Sequence, residues 1–116
     1  MPEEVTFDAK RQLICVRSWG ECGIQDWNSS KDQVLQLNSK HGCNKLLVDV
    51  REQEAAPGTM EIFKFGASWP LSIRVAILVG KGTQEDQKFL ETVAVNRGIP
   101  MKDFMEEDEA IEWLNR

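Results

Sequence analysis

Asp49 and Arg51 stand at the end of the apolar run Lys45 to Val50, "KLLVDV". An acid and a base just past the carboxyl end of a strand occupy the place where α/β proteins often hold ligands or move phosphoryl groups. An aspartate there accepts a phosphoryl group only with a magnesium ion held by further carboxylates beside it, because hard cations take oxygen ligands. Those acids would follow the first strand, and here the first strands end in "DAK" and "SWG". The pocket is therefore missing, and Asp49 is expected to be structural, paired with Arg51 or bonded to backbone amides.

Two further stretches could meet phosphate. "GKGT", Gly80 to Thr83, lies between a strand and a helix, where free amides and Lys81 could hold an anion. The full P-loop spacing is absent, and glycine plus a capping threonine is what any tight strand-to-helix turn requires. Thr59 is the hydroxyl that opens the helix after the break Ala55 to Gly58, and it is the one candidate phosphorylation site. As an N-cap it needs no further role.

Nucleophilic and metal chemistry find little support. His41 is the sole histidine, and Cys15, Cys22 and Cys43 show no C-x-x-C spacing, so no zinc set can be built. No G-x-S-x-G elbow occurs, and Glu106, Glu107, Asp108 and Glu109 read as a solvated face. No catalytic, cofactor-binding or metal-binding residue is expected, and the protein is not expected to be an enzyme. Phe63, Phe65 and Trp69 carry the strongest sign of a working surface. Two adjoining apolar stripes on one short helix give more apolar area than a single sheet contact covers. The excess could dock a second protein chain or line an apolar pocket.

The chain of 116 residues is long enough for one ordinary core and too short for two, so residues 1–116 are expected to form a single domain. A hydrophobic content of 41% and a charged content of 28% suit a globular protein. The net charge of −5 disfavours a nucleic-acid surface, which needs clustered Lys and Arg. No window approaches a membrane span. The start "MPEEVTFDAK" lacks the form of a signal peptide, and an unpaired set of three cysteines suits a reducing compartment, so a cytoplasmic location is expected.

The elements that must position these residues follow from the apolar spacing. "EVTFDAK" and "LICVRSW" flank a polar turn at Lys10, Arg11 and Gln12 and predict a hairpin that "GECG" closes. Trp27, Val34, Leu35 and Leu37 predict a helix over Asp26 to Lys40, with Ser30 and Gln33 in capping-box spacing and Gly42 as its stop. "KLLVDV" and "SIRVAILVG" read as strands covered on both faces. A helix is expected from Thr59 to about Ser68, stopped by Trp69-Pro70. Another follows Thr83 with Phe89, Leu90 and Val93 buried. "IPMKDFM" is a last strand and Asp108 to Asn115 a last helix, with Ala110, Ile111 and Leu114 inward. The order β-β-α-β-α-β-α-β-α implies parallel crossovers and a mixed five-stranded sheet with about four helices.

With "KLLVDVRE", "IRVAILVG" and the ending "KDFMEEDEAIEWLNR", this order resembles the SpoIIAA-like family, related in fold to STAS domains and to the CRAL-TRIO fold. The resemblance spans nearly the whole chain. It implies a regulatory or protein-interaction domain whose partner-binding face surrounds Glu52 to Gly58 and the helix from Thr59. The family's namesake is switched by phosphorylation of a serine at the start of that helix, within an Asp-Ser-Ser-Gly sequence that this chain lacks. The CRAL-TRIO likeness implies, as the alternative, an amphiphilic ligand against Phe63, Phe65 and Trp69. A homodimer through exposed apolar helix surface is a further expectation.

Overall fold

A computed structural model describes residues 3–55, 58–70, 72–80 and 84–116, with backbone alone at 55, 59, 84–87 and 94. The elements are β1 (Glu3–Asp8), β2 (Leu13–Glu21), α1 (Ile24–His41), β3 (Lys45–Ala55) and α2 (Thr59–Ala67). They continue as β4 (Arg74–Leu78), α3 (Gln84–Asn96), β5 (Met101–Phe104) and α4 (Glu107–Leu114). The five strands form one sheet in the order β1-β2-β3-β4-β5. β1 runs antiparallel to β2, and every later pairing is parallel. The predicted architecture, a single α/β domain on a mixed five-stranded sheet with four helices, is the one observed.

The hairpin turn is held by Asp8, whose Oδ1 accepts the amides of Lys10 and Arg11 at 3.0 and 3.1 Å. Side chains alternate across the sheet. Ile14, Val16, Leu46, Val50, Val75, Ile77 and Met101 meet Trp27 and Val34 of α1, Ile62 of α2, Trp69 just after α2, and Leu90 of α3 in the larger core cluster. The opposite faces of β2, β3 and β4 offer Leu13, Leu47, Ala76 and Leu78 to Ala110 and Leu114 of α4. Each fully buried aliphatic side chain contributes about 1.5–3 kcal/mol.

Local boundaries depart from the pattern where tertiary contacts decide them. α1 begins at Ile24, capped by Gly23, whose amide donates to Asp26 Oδ2 at 2.9 Å. Ser30 therefore lies inside the helix and serves no cap. β2 runs to Glu21, beyond the expected "LICVRSW", because Gly20 at φ +64 permits the irregularity between Gly20 and Glu21. β3 in turn extends to Ala55, so that Glu52–Ala55, expected as loop, are strand. Gly58 rather than Thr59 caps α2, and its amide donates to Glu61 Oε1 at 3.2 Å. Leu90 and Val93 are buried, whereas Phe89, expected beside them, is 37% exposed. Lys81, Gly82 and Thr83 lie outside the described residues.

Candidate functional site

Asp49 is the last residue of β3 paired to β4, opposite Leu78, while pairing with β2 continues to Glu21 and Ala55. The end of β3 thus leaves the sheet as a two-stranded ribbon that leads into α2. At its root Arg51 folds back on Asp49, with Nη2 2.7 Å from Oδ2, Nε 3.0 Å from Oδ1 and the backbone amide 3.1 Å from Oδ1. Burial alone would raise the Asp49 carboxyl. The hydrogen bonds and charge of Arg51 outweigh it and hold the group below the ordinary carboxylate range. Such a carboxylate is a poor nucleophile and an occupied acceptor.

Gly80 completes this corner. A Cβ there would stand 2.9 Å from the Arg51 carbonyl oxygen and 3.2 Å from its Cα. Close backbone approach accounts for this glycine, with no phosphate required. Among the described residues no group of three or more His, Cys, Asp or Glu is placed to hold a metal ion. His41, at the end of α1, stacks flat on Phe7 with ring centroids 3.9 Å apart and ties α1 to β1.

The four residues singled out around α2 fall into different settings. Thr59 is the first residue of the helix, and its side chain lies outside the described set. Trp69 is 6% exposed. Phe65 is half-buried, edge-on to Trp27 at 5.1 Å and 5.8 Å from Trp69. Phe65 and Trp69 line a cavity of about 60 Å³ between the helices and the sheet, together with Trp27, Val34 and Val48. That is well under the roughly 300–1,000 Å³ of sites that hold drug-sized ligands. Phe63 points away from this cavity's walls and is 41% exposed, and Met60, one helical turn earlier, is 67% exposed. Met60 and Phe63, spaced i and i+3, share one outer face of α2. Spacing alone could not say which apolar stripe of α2 faces the core.

A polar bridge bounds the cavity at its rim. Glu3 of β1 lines it, and its carboxylate accepts hydrogen bonds from Ser18 of β2 and, at 2.6 Å, from Ser30 of α1. Burial raises the Glu3 carboxyl, and the two serine hydroxyls partly offset that rise. Nothing in the spacing of these three residues announces the bridge, because they come from three elements.

The geometry is that of a four-strand parallel sheet with an antiparallel strand added, three helices to one side and α4 to the other. An uncharacterised protein of the DUF3478 family from Shewanella loihica, described as having a SpoIIAA-like fold, superposes with a TM-score of 0.63 at 19% identity, over 97% of this chain and 93% of that one. The fold is SpoIIAA-like. No family model and no curated protein matches the sequence. At this identity the likeness concerns architecture alone. No helix among the described residues is long and apolar enough to cross a membrane.

Proposed function

We propose that this SpoIIAA-like chain is a non-enzymatic protein-interaction domain that docks its partner on the outer face of α2, beside the ribbon formed by the ends of β2 and β3. The observation that carries the reading is the exposure of Met60 and Phe63 on a helix whose Ile62 is fully buried. The helix is anchored by one stripe and offers another. Large apolar side chains gathered on an outer helix face favour contact with a second protein surface. The tight Asp49–Arg51 pairing supports a scaffold role for the strand end, and the small volume beside Phe65 and Trp69 disfavours a bound acyl chain.

The test separates docking from folding. Replacing Met60 and Phe63 together by serine removes an apolar face that is 67% exposed at Met60 and 41% exposed at Phe63, at a stability cost of about 1 kcal/mol at the half-covered phenylalanine and less at the methionine. The doubly substituted chain should still unfold in one cooperative transition and lose association, read by sedimentation velocity across a concentration series and by retention of the partner on the immobilised chain. Unchanged association would overturn the reading.

A further inference from the structure

A second concavity lies beside α3, at the carboxyl ends of β4 and β5. It is an open groove of about 590 Å³, walled by Val79, Phe89, Phe104 and Met105, with Lys88, Thr92 and Asp103 among its lining. Crevices outside the carboxyl ends of parallel strands are where open α/β sheets bind ligands. The volume is within the range of small-molecule sites. Phe89 and Met105 are 37% and 51% exposed, so the groove presents apolar surface to solvent.

Among the described residues its one acid is Asp103, which has a second acid, Glu91, for a neighbour. Asp103 of β5 and Glu91 of α3 interact by charge and hydrogen bond, and the Asp103 Oδ1 is shielded from solvent with no donor among the described residues. Lys88 Nζ is 3.5 Å from Glu91 Oε2 while its own side chain is 70% exposed. The lysine is a loosely held counter-ion at the rim, and among the described residues one carboxylate oxygen inside lacks a donor. An apolar wall beside an acceptor without a donor suits one ligand class.

We propose that this groove binds a small primary amine with a flat apolar body, the ring lying against Phe89, Phe104 and Met105 and the ammonium group donating to Asp103. The ammonium supplies the missing donor and displaces Lys88 from the pair. Burial first, then the charge of Glu91 and the hydrogen bond with it, raise the Asp103 carboxyl to about 7, against the opposing pull of Lys88. The charged groups facing Asp103 among the described residues are these two from α3. The pair therefore holds a proton at mildly acid pH, and the amine must displace it, so binding strengthens as pH rises through 7.

Phenethylamine titrated into the full chain, followed by amide shifts in two-dimensional NMR, provides the test. Shifts are expected at Val79, Phe89, Phe104 and Met105, with affinity about tenfold higher at pH 8 than at pH 6, the change in the ionised fraction of a group titrating near 7. Asp103→Asn should weaken binding about tenfold or more, while Lys88→Ala, which removes a competing exposed cation, should strengthen it roughly two- to fivefold. Equal binding of phenethyl alcohol, or the absence of shifts at these four amides in both the wild type and the Lys88→Ala chain, would overturn the proposal.

Discussion

The hydroxyl of Ser30, in the second turn of α1, donates to Oε1 of Glu3 on β1 at 2.6 Å and so fastens the first helix to the edge of the sheet. The same carboxylate accepts from Ser18 on β2. One acid thus joins three elements at the rim of the cavity under α1 and α2. Because it is largely withdrawn from water, the loss of a donor is not made good by solvent.

Ser30→Ala is accordingly expected to destabilise the fold by about 1–3 kcal/mol, the cost of leaving a buried acceptor short of a donor. Helix propensity alone favours alanine over serine at an interior helix position. Chemical denaturation decides the sign. A stabilised variant would show that the bridge to Glu3 contributes nothing.

The raised carboxyl of Asp103 gives stability a pH dependence of definite sign. A group whose folded value lies above its unfolded value binds its proton more tightly in the native state. The native state is then favoured most below the ordinary carboxylate range and loses that advantage as pH rises toward about 7. Glu3, raised by burial, acts in the same direction, whereas Asp8 and Asp49, both lowered, titrate below this window. The melting temperature should fall between pH 5 and pH 8, and Asp103→Asn should flatten the fall. A wild-type profile that rises over this interval would contradict the assignment.

Asp49, held by three hydrogen bonds from Arg51, is expected to support rather than react. Incubation with magnesium and a small phosphodonor should leave the intact mass unchanged. Arg51→Met should cost no more than about 1 kcal/mol, since the guanidinium is partly exposed to solvent. A mass gain of one phosphate that disappears in Asp49→Asn would reinstate phosphoryl chemistry.

The order of elements was legible because each segment carries its own periodicity. "KLLVDV" and "SIRVAILVG" are continuous apolar runs, and the buried Leu46, Leu47, Val75 and Ile77 lie where such runs place them. What was not legible depends on partners distant in sequence. Ser30 has capping spacing with Gln33, yet its partner is Glu3, and only the fold brings them together. Phe65 and Trp69 turn inward against Trp27, leaving Met60 and Phe63 outside, a division set by the direction from which α1 covers α2. Phe89 fits the apolar stripe of α3 but lines the groove and is 37% exposed. The Asp103–Glu91 pair likewise joins a strand and a helix that no spacing rule connects.

The docking role of α2 is tested most directly by a photo-crosslinking amino acid placed at Phe63, with a second chain carrying it at Val95 as the control. Val95 is also exposed and apolar, at 53%, but lies on α3. Irradiation in an extract of the source organism, and of the purified chain alone, should yield one discrete protein adduct from Phe63 and none from Val95. That adduct should vanish when Met60 is replaced by aspartate. Equal labelling from both positions, or an adduct indifferent to Met60, would contradict the assignment of this face to a partner.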